Sequence, residues 1–156
     1  MTAVLSLGSN LGDRAAHLNA AIELLRMHYT VLAVSPVYET APVGVRGSPA
    51  FLNLVVEVAA RDAEQLLEVA HSVENTRGRS RSKRWAPRTL DVDVIAVDGL
   101  RSESPTLTLP HPRAHERAFV LVPWLDVDPA AELPGRGRVA DLVRKMDTSG
   151  VRRWSR

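Results

Sequence analysis

The densest chemistry in this 156-residue chain lies between residues 77 and 93. Arg77-Gly78-Arg79-Ser80-Arg81-Ser82-Lys83-Arg84-Trp85-Ala86-Pro87-Arg88 holds six cations in twelve residues and no acid. Such density repels itself and is stable only when solvated or when it faces polyanions. Three readings follow: a flexible exposed loop, a mobile phosphate-binding loop, or a nucleic-acid contact. The next residues, Thr89-Leu90-Asp91-Val92-Asp93-Val94-Ile95, bear on the choice. Strand alternation puts Leu90, Val92 and Val94 on one face and Asp91 and Asp93 on the other. Two carboxylates sharing a face are costly unless a cation sits between or above them. Mg2+ is held this way, by one or two carboxylates plus substrate phosphates. Ion pairs with the nearby arginines are the alternative. A nucleic-acid surface would not ordinarily put acids there, although two-metal nucleases do.

Three further features carry polar chemistry. Glu74 lies at i+4 from Ala70 and i+7 from Leu67, so it continues the apolar stripe of its helix. It is either a helix-end residue reaching solvent or part of a polar site under the basic loop. Pro110-His111-Pro112-Arg113-Ala114-His115-Glu116-Arg117 holds two histidines and two arginines. The flanking prolines argue against a helical zinc pair, and a second set of phosphate or base contacts fits the cluster better. Asn53, between Leu52 and Leu54, either faces solvent or is a buried amide able to read a polar heterocycle with two donors and an acceptor.

The elements that must position these residues are legible in outline. Residues 3–8 read as a short buried strand, followed by a turn at Gly8 to Asp13, with Asp13 placed to cap a helix. Leu18, Ile22, Leu25 and Tyr29 form one helical face. Residues 30–38 read as a second strand ending near Pro36, and Pro42 to Pro49 as a long loop of the kind that is often functional. Phe51 to Ala59 is a third strand. Asp62-Ala63-Glu64-Gln65 starts a second helix, with Leu67, Ala70 and Val73 as its buried stripe and Gly78 as its stop. Thr89 to Val97 is a fourth strand closed by Asp98-Gly99, a hairpin signal, with Thr106 to Leu109 expected to pair back as a fifth. Phe119 to Leu125 is apolar, and Val139 to Met146 reads as a short final helix. Strand, helix, strand, strand, helix, strand predicts an α+β fold: a ferredoxin-like α-β sandwich, an antiparallel sheet with flanking helices, as one domain over residues 1–156.

Composition narrows the function class. Of 20 cations, 18 are Arg, the residue suited to bidentate phosphate contacts. Net charge is only +2, and there is no cysteine, which removes disulfides and thiolate zinc sites and agrees with a cytoplasmic location. No apolar run is long enough to span a membrane, and no membrane partner is expected. Only seven aromatics are present, with no stacking pair on alternate positions of a central strand, which counts against a nucleic-acid-binding module on the same fold. A regulatory domain that binds nucleotide without turnover is the other rival.

Taken together, Gly8-Ser9-Asn10, Tyr38-Glu39-Thr40-Ala41-Pro42, Phe51-Leu52-Asn53, Glu74 before Gly78-Arg79, Arg84-Trp85-Ala86-Pro87-Arg88-Thr89-Leu90-Asp91-Val92-Asp93, and Pro110-His111 with Arg117-Ala118-Phe119 resemble the 6-hydroxymethyl-7,8-dihydropterin pyrophosphokinase family of folate synthesis. The likeness runs from the first strand to about residue 134. It implies a monomer that transfers pyrophosphate from ATP to the hydroxymethyl group of 6-hydroxymethyl-7,8-dihydropterin, releasing AMP. It implies two Mg2+ ions bridged by Asp91 and Asp93. Arg81 and Arg88 match arginines that hold ATP phosphates, with Arg79 at a neighbouring family arginine, and Glu74, Thr108, His111 and Arg117 match other nucleotide contacts. Thr40, Ala41, Val43, Phe51, Asn53, Asp91 and Phe119 match positions of the pterin pocket, with Phe51 and Phe119 as aromatic walls and Asn53 as reader of the ring edge. Trp85 matches a loop residue that closes over bound substrates. The chain departs from the family pattern at Ala41, Phe51, Ala86 and Pro112, and its basic loop is one residue shorter between Arg81 and Trp85.

Overall fold

The structure, a computed structural model, describes residues 1–41, 50–76 and 89–155. The loop expected over Pro42 to Pro49, the helix stop at Gly78 and the basic run Arg77 to Arg88 lie outside those residues. Strand β1 (Thr2–Ser9) is central, pairing antiparallel with β4 (Phe51–Ala59) on one side and β5 (Asp91–Val97) on the other. Beyond β4 lie two short strands, β2 (Thr30–Val34) and β3 (Tyr38–Thr40), and β10 (Val151–Arg153) pairs with β3. The ferredoxin-like order is therefore present, with an added edge strand. No helix among the described residues is long and apolar enough to cross a membrane.

Parity along the strands sorts side chains onto two faces. Leu5 and Leu7 of β1, Leu52, Leu54, Val56 and Val58 of β4, and Val92 and Val94 of β5 pack in one cluster with helices α1 (Arg14–His28) and α2 (Ala63–Thr76). Val4, Val55 and Ile95 pack on the opposite face against α3 (Ala118–Val127) and α4 (Val139–Arg144). Alternation on β1 and β4 thus carries the sheet between two cores. Asp13 caps α1 as expected, its carboxylate accepting from the Ala16 amide at 3.1 Å. Asp62 does the same ahead of α2, for the Glu64 amide at 2.9 Å.

The structure corrects several expectations. The buried stripe of α2 is Leu66, Val69, Ala70 and Val73, with Leu67 only partly buried, because the helix is rotated to send Glu74 inward as well. Tyr29 caps the end of α1 with extended backbone, one residue past the helix, and still packs against the same core as Leu18, Ile22 and Leu25. The strand expected over 30–38 is broken in two at Ser35–Val37, where Pro36 has no amide to give to a ladder. Ser35 supplies the missing group: its amide donates to Val55 O and its hydroxyl accepts from the Val55 amide, both at 2.9 Å. Thr106 to Leu109 does not pair back onto β5. Instead β7 (Thr108–Leu109) pairs with β6 (Ser102–Glu103), because Ser102, Ser104 and Thr106 close a local turn through their hydroxyls. The apolar run after Phe119 is helix α3, and two strands, β8 (Glu132–Leu133) and β9 (Gly137–Arg138), form a hairpin that the sequence reading missed. The C-terminal segment adds β10, which the sequence reading missed, and the amide of Trp154 just after it donates to Val37 O at 2.9 Å.

Ser35 is almost fully buried, so Ser35→Ala leaves the Val55 amide without its partner. We expect unfolding free energy to fall by about 1–3 kcal/mol, read as a lower urea midpoint at unchanged m-value. An unchanged midpoint would show that the hydroxyl contributes nothing.

Candidate active site

Among the described residues, the face of the sheet opposite α1 and α2 is only half covered. Helix α3 packs over the Val4, Val55 and Ile95 end, and the other end stays open as a cleft of about 960 Å³. Its floor follows from strand register. Gly8 of β1 stands between Asn53 of β4 and Asp91 of β5, and Ser6 stands between Val55 and Asp93. Asn53, Gly8, Asp91, Ser6 and Asp93 all border the cleft. With strands about 4.8 Å apart, Asn53 and Asp91 sit roughly 10 Å apart across a residue with no side chain. A Cβ on Gly8 would come within 2.9 Å of Asn53 Oδ1 and 3.6 Å of Phe51 Cδ1. The glycine is there for the space it leaves.

Each side chain has a local reason for its place. The Asn53 amide, 4% exposed, donates through Nδ2 to Thr40 Oγ1 at 2.9 Å. That bond fixes which way the amide oxygen and nitrogen face, and it settles the alternatives for this residue in favour of the buried amide. Phe51 enters from the start of β4, Thr40 and Ala41 from the end of β3, and Phe119 from the first turn of α3. Arg117, the residue before α3, holds its guanidinium carbon 5.7 Å from the centre of the Phe119 ring, a cation–π distance. Glu74 does not reach solvent: it is 2% exposed, and it does not border the cleft, while the basic loop expected above it lies outside the described residues. Its carboxylate accepts the Val92 amide at 3.0 Å, on the outer edge of β5 between the two aspartates. It therefore supports the backbone that aims Asp91 and Asp93.

A bulge brings the histidine in. Val4 pairs with Ala96 and Leu5 with Val94, so Ile95 is an extra residue in β5. The Ile95 carbonyl accepts the His111 amide at 2.8 Å, which draws Pro110–Arg117 against the strand that carries the aspartates. His111 Nδ1 in turn accepts the Arg113 amide at 3.2 Å, leaving Nε2 to carry the proton of the neutral ring. Burial pushes this imidazole below its ordinary value; the Asp93 carboxylate opposes that shift, and the Arg117 and Arg113 guanidiniums add to it.

Of the residues expected from the sequence, Thr40, Ala41, Phe51, Asn53, Asp91, Asp93, His111, Arg117 and Phe119 all border this one cleft. Thr108 does not. It is exposed on β7, its hydroxyl donating to Ser104 O at 3.3 Å. Val43, Arg79, Arg81, Trp85 and Arg88 lie outside the described residues. Sequence reasoning missed Ser6 and the segment Asp147, Ser149, Gly150 and Val151, which also border the cleft. Ser6 had a signal, since Ser6 and Gly8 alternate with the apolar Leu5 and Leu7. The segment had none, because Val151 reaches the cleft only by pairing with Thr40. His115 Nε2 lies 3.5 Å from Glu116 Oε1. No group of three metal-ligating side chains occurs among the described residues.

Two measurements test this geometry. Gly8→Ala should push the buried Asn53 amide off its Thr40 bond, lowering the thermal midpoint modestly and weakening ligand contacts made through Asn53 by about tenfold, the loss of roughly one hydrogen bond; equal binding in both proteins would refute the spacer role. The His111 ring should titrate by NMR below 6.5 in the ligand-free protein. The stability gained by burying the neutral ring is then complete above pH 6.5 and erodes as pH falls below it. A midpoint at or above 6.5 would overturn the neutral assignment.

Comparison with known proteins adds a chemistry to this geometry. A family model described as 7,8-dihydro-6-hydroxymethylpterin-pyrophosphokinase matches residues 4–129. The 2-amino-4-hydroxy-6-hydroxymethyldihydropteridine pyrophosphokinase of Bacillus subtilis is 39% identical over 155 residues, covering 97% of this chain and 89% of that protein. The protein of the same name from Mycobacterium leprae is 51% identical over 154 residues, covering 90% of this chain and 79% of that protein. Among solved structures, wild-type Plasmodium falciparum HPPK-DHPS superimposes with a TM-score of 0.71 at 15% identity, over 92% of this chain and 44% of that longer one. At that identity the likeness concerns the fold alone.

Proposed function

The chain belongs to the 7,8-dihydro-6-hydroxymethylpterin-pyrophosphokinase family, and from that premise we propose how its cleft carries out pyrophosphate transfer from ATP to hydroxymethyldihydropterin in folate biosynthesis. The observation that carries the reading is the rung Asn53–Gly8–Asp91, which sets a ring-reading amide and the first of two carboxylates on one open floor. The pterin lies at the β4 end. Asn53, oriented by Thr40, reads the polar edge of the ring; Phe51 and Phe119 give it aromatic faces, and Ala41 completes the pocket, with Val43 assigned to it on family resemblance alone. The hydroxymethyl arm then points along the floor toward β5.

Asp91 and Asp93 fit a hard cation. They are two residues apart on one face of a strand, both border the cleft, and Mg2+ takes the rest of its shell from phosphate oxygens and water. These two carboxylates would hold the two Mg2+ ions of the family pattern. Held by these carboxylates, Mg2+ would supply charge neutralisation for the triphosphate and a lower pKa for the attacking hydroxyl. The remaining work belongs to positioning and charge. His111 offers an Nε2–H and Arg117 a guanidinium to the nucleotide. Arg81 and Arg88 offset charge on the transferred phosphates, with Arg79 and Trp85 beside them in the same run. Glu74 and Thr108 stand as nucleotide contacts on family resemblance alone. The pterin oxygen bonds to the β-phosphorus as the bond from that phosphorus to the oxygen shared with the α-phosphate breaks. AMP leaves, and the hydroxyl proton passes to solvent. No side-chain base is required. On this reading the protein acts as a cytoplasmic monomer, with no nucleic-acid or membrane partner.

The test is direct: protein, ATP, Mg2+ and hydroxymethyldihydropterin are mixed and AMP is measured. Absence of pterin-dependent AMP would end the reading. Asp91→Ala and Asp93→Ala should each lower turnover by at least about a thousandfold, roughly 4 kcal/mol of transition-state stabilisation, with circular dichroism and the melting midpoint retained. Near-wild-type turnover in either variant would remove the metal assignment.

A further inference from the structure

Arg14 breaks a local rule. It occupies the first turn of α1, which holds no acid beyond the capping Asp13 whose carboxylate is turned to the Ala16 amide, so a cation sits at the end of the helix where backbone amides already concentrate positive charge. Arginine here costs stability unless something outside the helix holds it, and departures of this kind point to a role elsewhere in the molecule. Its Nη1 reaches two partners far away in sequence: Glu39 Oε2 at 3.0 Å and the Ala50 carbonyl at 2.8 Å. An exposed ion pair alone would mean little. This side chain is only 25% exposed and joins a second, main-chain acceptor, so it is held in one geometry.

The two partners are chemically unlike but adjacent to equivalent places. Glu39 precedes Thr40, and Ala50 precedes Phe51; Thr40 and Phe51 are the final rung of the β3–β4 ladder. Parity sends Glu39 to the α1 side of the sheet and Thr40 to the cleft side. Arg14 therefore grips, from behind, the end of β3 and the entry to β4. Those are the two backbones that present Thr40, Ala41 and Phe51 to the cleft, and Thr40 is the group that orients the Asn53 amide.

We infer that Arg14 is a positioning residue for the pterin half of the site: with Glu39 and the Ala50 carbonyl it locks the Thr40–Phe51 rung, and so sets affinity for the ring without touching it. Among the described residues neither Glu39 nor Ala50 lies on β5 or beside His111, so the grip acts on one substrate only. The inference rests on the functional reading above.

Steady-state kinetics of the full-length protein separate the two. Arg14→Ala should raise KM for the pterin about tenfold, the loss of one charge-assisted hydrogen bond, with KM for ATP and kcat within about twofold of wild type. Glu39→Gln, which keeps the side-chain volume, should raise the same constant by a smaller factor. Glu39→Ala should do so in the wild-type background and have no further effect in Arg14→Ala, because the contact is already gone. Arg14→Lys should restore part of the affinity. If wild-type protein makes no AMP, the functional reading fails. If it makes AMP but the pterin constant is unmoved by Arg14→Ala, or both substrate constants move together with a falling melting midpoint, this inference fails instead. Should Arg14→Ala not fold, the pterin-to-ATP split in Glu39→Gln decides it alone.

Discussion

The site depends on the register of β1 between β4 and β5. A strand has a side-chain period of two, so a slip of one residue would turn a whole row of side chains to the other face. Here the buried row is Leu5 and Leu7 against Leu52, Leu54, Val92 and Val94, under two helices. Burial of that row pins the register, and the register in turn aligns Asn53, Gly8 and Asp91 on the other face. The aspartates cannot turn toward the helices without exposing Val92 and Val94. The core therefore holds the carboxylates side by side against their own repulsion.

Irregularities then adapt that regular frame. The extra residue Ile95 lets the carbonyl of β5 receive His111, so the histidine cluster joins the aspartates from the outer edge. The break at Ser35–Val37 divides one edge into β2 and β3 and leaves β3 free to take up β10, whose Val151 closes the far side of the cleft. Tyr38 ties the same corner to α3 through its hydroxyl bond to Asp126; burial is the main reason its pKa is raised, with that bond second. The half of the cleft at Thr40, Phe51 and Phe119 is thus bounded by backbone from β3, β4, α3 and the C-terminal strand, while the carboxylate half rests on one strand and on Glu74 beneath it.

Charge is arranged to match. Asp91, Asp93, Glu116 and Asp147 border the same cleft as Arg113 and Arg117. A site that binds a polyanion with divalent cations needs both signs near each other, since the metal requires anionic ligands and the phosphates require cationic ones. A surface built only to bind nucleic acid needs the cations alone. That difference already separated the readings at Asp91 and Asp93, before any fold was considered.

The sequence alone determined the secondary elements of the ferredoxin-like frame, the facing of Asp91 and Asp93, the cap at Asp13 and the family. These are properties of local periodicity, turn chemistry and one very specific run of residues. Tertiary structure decided what those signals leave open. Asn53 and Glu74 each had two readings, because burial of a polar group depends on what packs over it. Gly8 read as part of a turn, and only the neighbours on both sides show it as the gap that lets Asn53 and Asp91 share a floor. Val151 and Arg14 carried no signal, since their partners lie 111 positions and at least 25 positions away in the chain, and contacts at such separations are set by packing and register. Short-range physics wrote the parts of this site, and long-range pairing chose which of them meet.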